Sequence, residues 1–72
     1  MSNTLDTLQE VHLRAKLQAL LQQHRDLDAA ITALQEGANP DPFQIRRLKK
    51  MKLDLKDQII HIENLLIPDI IA

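Results

Sequence analysis

The residues of this chain that could do acid–base chemistry are few. His24 lies on the apolar side of a predicted helix, four residues before Asp28. A histidine beside a carboxylate can act as a general base that activates a nucleophile. The sequence contains no cysteine, however, and its one serine is Ser2, which is far from His24 in the chain. Nucleophilic catalysis is therefore not expected, and we predict no catalytic residues.

Metal binding is the second chemistry that histidines support. His12, His24 and His61 are separated by 12 and 37 residues, and these spacings match no zinc-ligand pattern. The absence of cysteine excludes thiolate ligands as well. Carboxylates are scattered singly along the chain. We therefore predict neither a metal site nor a bound cofactor, and we expect that the protein is not an enzyme.

The densest cluster of charge is basic. Five cations fall within seven residues: Arg46, Arg47, Lys49, Lys50 and Lys52. Residues 43–57 carry six cations and two carboxylates, a local charge of +4, whereas the whole chain has a net charge of −1. Such a segment can bind nucleic acid, so the first four cations are candidate phosphate contacts. The cations spread around the predicted helix, however, and no aromatic or glycine-rich element accompanies them, which favours a solvated helix face.

Two helices must position these residues. Apolar residues recur at alternating steps of three and four in two stretches, a spacing that puts one residue per turn on the same side of a helix. Only His24 and Lys52 interrupt the two stripes, which are Leu13, Leu17, Leu20, His24, Leu27, Ile31 and Leu34, and Ile45, Leu48, Lys52, Leu55, Ile59, Ile62 and Leu66. The predicted helices cover about residues 3–36 and about residues 43–67, with a loop at 37–42 and a short apolar tail at 68–72.

The predicted loop contains residues that stop and start helices. Gly37 is expected to adopt the left-handed conformation of a helix C-cap. Asp41 is expected to cap the second helix, with Pro42 at its first position. Because the loop is short, the helices should run antiparallel. The sequence thus predicts an all-α fold, a single antiparallel two-helix hairpin.

Antiparallel pairing also brings polar residues together across the hairpin. When the two loop ends are placed opposite each other, Asp28 falls near Lys52. In the same register, His24 falls near Lys56 and Asp57. We predict an inter-helix polar network of these five residues, which would set the register of the helices.

Chain length and apolar pattern together predict self-association. A chain of 72 residues without cysteine has a small core and no disulfide to stabilise it. On the second helix, Leu53, Ile60 and Ile67 recur every seven residues outside the hairpin seam. A lone hairpin leaves this stripe uncovered, so we predict a homo-oligomer, a dimer or larger coiled-coil bundle. The candidate interface residues, for a second copy or another partner, are Leu5, Leu8, Leu21, Leu53, Ile60, Ile67, Ile70 and Ile71.

Composition also bears on the expected location. No apolar run approaches the roughly 18 residues that a membrane span needs, so no span is predicted. The first residues lack the basic and apolar regions of a secretory signal. The absence of cysteine fits a reducing compartment. We therefore expect a cytoplasmic protein.

The motifs of the hairpin carry a family resemblance. The stretch from His24 to Leu34 reads H-R-D-L-D-x-x-I-x-x-L, and the stretch from Leu48 to Ile59 reads L-K-K-M-K-L-D-L-K-D-Q-I. Over about residues 13–63, the chain resembles the YdcH-like family of small bacterial proteins. The resemblance implies a cytosolic bacterial protein with an α-helical hairpin fold, and the family's polar positions fall on the five residues of the predicted network. It implies no activity, because the family has none that can be carried over.

Three functions are compatible with these patterns. The first is a small, non-enzymatic helical interaction or scaffolding protein that acts by homo-oligomerisation or by packing against a partner helix. The second is a nucleic-acid-associated protein that uses the basic segment from Arg46 to Lys52. The third is an accessory subunit that docks on a larger protein partner through its second apolar stripe or its tail. Steep salt dependence of binding would distinguish the second function from the third.

Overall fold

The computed structural model describes residues 7–66, which form an antiparallel hairpin of two helices. Helix α1 spans Thr7–Gln35 and helix α2 spans Pro42–Leu66. Residues 36–41 join them, and the two helices pack against each other along one side. The described residues contain no strand. The predicted all-α hairpin is therefore confirmed.

Local sequence explains the length of both helices. The 29 residues of α1 include neither proline nor glycine, and alanine, leucine, glutamine and charged residues with strong helix propensity dominate. The 25 residues of α2 contain one proline, Pro42, at the first position, where a missing N–H removes no helical hydrogen bond. At about 1.5 Å per residue, α1 is about 44 Å long and α2 about 37 Å.

The seam between the helices follows the two predicted stripes. All fourteen stripe positions are buried or partly buried, including the polar positions His24 and Lys52. The core consists of one residue of α1 surrounded by three of α2, and a further buried residue lies nearer the loop. In chain order these residues are Leu20, Ile31, Leu55, Ile59 and Ile62. Both stripes therefore face the same seam.

The start of α2 is fixed by its predicted cap. Oδ1 of Asp41 accepts hydrogen bonds from the backbone N–H of Phe43 at 2.9 Å and of Gln44 at 3.3 Å. These two amides have no carbonyl partner within the helix, because they lie in its first turn. Asp41 thus satisfies two of the free amides, and Pro42 follows it as the first helical residue.

The end of α1 differs from the sequence prediction at Gly37. Gly37 does not adopt the left-handed conformation. Its N–H donates instead to the carbonyl of Leu34 at 3.3 Å, while the N–H of Glu36 donates to the carbonyl of Thr32 at 3.0 Å. The bond from Gly37 spans three residues rather than four, so a tightened last turn satisfies a terminal carbonyl without a left-handed residue.

Several predictions lie outside the described residues. They concern the start of the first helix at about residue 3, its extension over residues 3–6, and the apolar tail at 68–72. The candidate interface residues in this group are Leu5, Ile67, Ile70 and Ile71. Between residues 7 and 66, no helix is long and apolar enough to cross a membrane.

We expect Gly37→Ala to leave the hairpin as stable as the wild type or to stabilise it by up to about 1 kcal/mol. A Cβ at this position would lie 3.5 Å from the carbonyl oxygen of Leu34, an ordinary contact. Alanine also has fewer conformations to lose on folding than glycine. The measurement is urea unfolding followed by circular dichroism at a fixed protein concentration.

The matched control is Ala29→Gly, at an exposed position inside α1. It should destabilise the protein by about 1 kcal/mol, because glycine is a poor helix former. A loss in Gly37→Ala as large as in this control would mean that residue 37 needs the left-handed conformation after all.

Candidate functional site

The polar contact across the seam joins Lys52 to Asp28. Lys52 occupies an apolar stripe position of α2, so its aliphatic stem lies in the seam and its ammonium reaches the surface. Nζ of Lys52 donates to Oδ1 of Asp28 over 2.6 Å. The side chain of Lys52 is 32% exposed and that of Asp28 is 52% exposed. The contact therefore lies at the edge of the seam, within reach of water.

His24 contributes to the same cluster from its own helix. It lies one turn before Asp28, and its Nδ1 is 3.8 Å from Oδ2 of that carboxylate. The ring is partly buried at a stripe position, so it packs in the seam while one edge faces Asp28. Asp28 is thus shared between Lys52 of α2 and His24 of α1.

Lys56 and Asp57 are not part of this cluster, although the sequence predicted them there. Both are exposed, and neither forms a hydrogen bond or ion pair with any residue between 7 and 66. Their positions around the helix relative to Leu55 explain this result. At about 100° per residue, positions one and two after a core residue turn away from the seam. The cluster therefore contains three residues instead of five.

The cluster shifts one protonation equilibrium. The hydrogen bond from Lys52 is the main reason why the pKa of the Asp28 carboxyl lies below its ordinary value. Desolvation opposes the lowering, and the charges of Lys52 and His24 reinforce it. Because Asp28 is solvent-accessible, the ion pair is screened by water and adds little net stability at neutral pH. The pair joins one position of α1 to one position of α2.

The chemistry available to this cluster is limited. No hydroxyl or thiol nucleophile accompanies His24 in it, and Lys52 is engaged with Asp28. Within the described part of the chain, no three histidine, aspartate or glutamate side chains group closely enough to hold a metal ion.

The four candidate phosphate contacts are exposed on α2. Arg46, Arg47, Lys49 and Lys50 form no ion pair with any residue from 7 to 66. The sequence interpretation missed their aromatic neighbour, Phe43, which is 74% exposed at the start of the helix. Helical neighbours lie three and four residues apart, so Phe43 shares a face with Arg46 and Arg47. That spacing is the signal that could have identified it.

The predicted interface residues within the described chain occupy different environments. Leu8, Leu53 and Ile60 are exposed. Leu21 is partly buried and packs against the hairpin's own core. Two of the exposed residues, Leu53 and Ile60, share one side of α2, outside the seam. The apolar surface available to a partner is therefore concentrated on α2.

A side groove lies between the helices and was not predicted from the sequence. It encloses about 410 Å³, and its lining residues are Gln23, Asp26, Leu27, Met51, Asp54, Leu55 and Gln58. A smaller depression of about 260 Å³ continues from Gln58 along the same side. Periodicity could not reveal the groove, because it arises from side-chain sizes on two helices that are distant in sequence.

Fold and cluster together define a class: a small all-α hairpin protein with one inter-helix seam and a lysine–aspartate contact across it. A family model described as "Protein of unknown function (DUF465)" matches residues 17–63, which is 47 of the 72 residues. The chain therefore belongs to the DUF465 family. The name YdcH-like remains a resemblance. No curated protein and no solved structure matches the chain.

We expect Lys52→Leu to make the stability of the hairpin less sensitive to acid. In the wild type, the lowered pKa of Asp28 contributes stability that is complete above the ordinary pKa of an aspartate carboxyl, its value in the unfolded chain. This contribution is lost as the pH falls through the lower folded-state pKa. The variant lacks the hydrogen bond that lowers this pKa, so it should lose less stability below about pH 4.

The measurement is thermal unfolding at a series of pH values, followed by circular dichroism. Lys56→Leu is the matched control, because Lys56 lies one turn later on α2 and is exposed. It should keep the acid sensitivity of the wild type. Equal acid sensitivity in Lys52→Leu and the wild type would contradict a role for Lys52 in holding Asp28 ionised.

Proposed function

We propose that this protein is a small, non-enzymatic helical interaction or scaffolding module that acts by self-association. The proposal includes packing against a helix of another protein as a related mode of action. Cytoplasmic location is part of the proposal, and the absence of cysteine supports it. The non-enzymatic part is supported by the scarcity of nucleophiles, since the chain has no cysteine and a single serine.

The observation that carries the proposal is the small core of the hairpin. Among residues 7–66, no large side chain is completely buried, and only five apolar residues are buried enough to form a core. Leu53, by contrast, keeps 63% of its surface exposed, and Ile60 keeps 44%. Small cores rarely stabilise a chain of this length alone, and burying such residues against a second chain would supply the missing apolar contact.

We expect the purified protein to self-associate. Sedimentation equilibrium from micromolar to millimolar concentration should show an average mass that rises above that of one chain. The thermal unfolding midpoint should rise with protein concentration as well, because association stabilises the folded state by mass action.

Two further results bear on this proposal. A compact, stable monomer over the whole concentration range would contradict self-association. If such a monomer copurified with one other protein at fixed stoichiometry, the accessory-subunit alternative would replace self-association. Measuring the untagged protein avoids association caused by the tag.

A second candidate function rests on the position of Phe43. Its exposed ring lies one turn before two arginines, Arg46 and Arg47, and two turns before Lys50. Proteins that bind single-stranded nucleic acid combine aromatic rings, on which bases stack, with cations that contact the phosphates. We propose binding of single-stranded nucleic acid to this face as the alternative function.

We expect, under this alternative, that the protein binds a fluorescein-labelled single-stranded RNA and that its affinity falls steeply with salt. Phe43→Ala should weaken binding by roughly tenfold, through the loss of one stacking contact. Fluorescence anisotropy at several salt concentrations measures both effects. Arg47→Glu should weaken binding as well, whereas its charge-matched control on α1, Lys16→Glu, should not. Equal losses in these two variants, or no binding at all, would count against the alternative.

A further inference from the structure

Helix α2 presents an amphipathic surface outside the seam, which we call the outer face. Its centre is Leu53, with Ile60 two turns further on. The helical neighbours of Leu53 at three and four residues are Lys49, Lys50, Lys56 and Asp57, of which three are cations. None of these cations forms an ion pair with a described residue. The outer face is therefore an apolar centre with unpaired positive charge beside it.

The side groove has the opposite charge. Leu27, Met51 and Leu55 provide its apolar lining, and Met51 is 47% exposed there. Asp26 on α1 and Asp54 on α2 supply its carboxylates, and neither forms an ion pair with a residue in the range 7–66.

The two carboxylates lie at the same level of the hairpin. Lys52 of α2 contacts Asp28 of α1. In an antiparallel pair, a residue two positions later on α2 lies level with a residue two positions earlier on α1. Asp54 is therefore level with Asp26, on the other side of the groove.

The groove is also long enough to hold part of a helix. Together with the depression that continues from Gln58 to His61, which Lys16 of α1 also lines, it follows α2 from Met51 over ten residues. The carboxylates Asp26 and Asp54 therefore mark the part of the groove beside Met51. At about 1.5 Å per residue this is about 15 Å, or nearly three helical turns. A helix in an apolar groove is a common mode of protein recognition, and its anchors are spaced three, four or seven residues apart. Leu53 and Ile60 have the last of these spacings.

We infer that the outer face of one copy binds in the side groove of a second copy. Leu53 then lies against Leu27 and Met51 of the second copy, and Lys49 and Lys50 face its acidic groove. This inference rests on the proposed self-association and specifies the surfaces that perform it.

Electrostatics favours this pairing over the two symmetric ones. Pairing two outer faces would bring together two surfaces that each carry three cations, Lys49, Lys50 and Lys56, and one carboxylate, Asp57. Pairing two grooves would bring Asp26 and Asp54 close to their own counterparts. Like charges in an interface suppress association, whereas the groove and the outer face attract each other. The outer face of one copy therefore pairs with the side groove of another copy.

The relative position of the two surfaces determines the kind of assembly. Residues two apart on a helix differ by about 200°, so Met51 and Leu53 lie on nearly opposite sides of α2. One copy can therefore use its outer face and its groove at the same time, with two different neighbours. Such a head-to-tail contact extends into a ring or an open chain instead of closing into a two-fold dimer.

Two variants, each lacking one surface, test the inference. Leu53→Gln removes the apolar centre of the outer face and leaves the groove intact. The double variant Asp26→Lys/Asp54→Lys reverses the charge of the groove and leaves Leu53 intact. Each variant alone should associate about tenfold more weakly than the wild type or more weakly still. An equimolar mixture should form a 1:1 complex that does not grow, because one intact groove and one intact outer face remain.

Sedimentation velocity and native mass spectrometry of the separate variants and of their mixture measure these states. Val11→Gln is the matched control, since Val11 is an exposed apolar residue of α1 outside both surfaces. It should associate like the wild type. Formation of the 1:1 complex also shows that both variants are folded, and circular dichroism checks their helix content.

The outcomes separate this inference from the proposed function. If the wild type associates and both variants associate equally well, self-association stands and the assigned surfaces are wrong. If both variants lose association but their mixture forms no complex, the pairing of unlike surfaces is wrong. A wild type that stays monomeric at every concentration overturns the inference and the proposed self-association together.

Discussion

Among residues 7–66, each helix has a single neighbour, and this constraint determines most of the described structure. A helix with one neighbour buries one stripe, about one residue per turn, and exposes the rest of its circumference. The core is therefore a single line of side chains along the seam, and no large described residue in it is completely enclosed. Apolar residues outside the line, such as Leu53 and Met51, stay exposed whatever their side-chain volume. Within residues 7–66, no third element covers these side chains.

The lysine–aspartate contact is best understood in relation to this line of leucine and isoleucine. Aliphatic side chains of similar size fit one another in several alignments, so an entirely apolar seam specifies its register weakly. Moving α2 by one turn would keep much of the apolar contact, but it would remove the partner of Lys52. The contact between Lys52 and Asp28 is therefore specific to the observed alignment. The specificity of the contact depends on its geometry more than on its free energy, which agrees with the partial exposure of both side chains.

The seam was predictable from sequence, and the surfaces were only partly so. Stripes at steps of three and four identify the buried positions, because periodicity alone determines which side of a helix meets its neighbour. The prediction of a left-handed Gly37 was wrong, because a glycine after a helix permits that conformation without requiring it. The prediction that Lys56 and Asp57 join the polar network was wrong. Both residues follow the core residue Leu55 in the chain, but the helix turns their side chains away from the seam. Phe43 was overlooked because it precedes the cations in the sequence rather than lying among them. The side groove depends on packing between two helices, which no single stretch of sequence encodes.

The single connection at residues 36–41 makes the two ends of the hairpin unequal. Residues that meet next to this loop are close in sequence, whereas Lys52 and Asp28 are 24 residues apart and Leu20 and Ile59 are 39 apart. The chain entropy lost in forming a contact grows with that separation, so pairing is least costly beside the loop and proceeds away from it. Opening proceeds in the reverse order, from the end where Leu66 lies. Amide protons should therefore exchange with solvent faster around Leu66 than around Ile31, which is close to the turn.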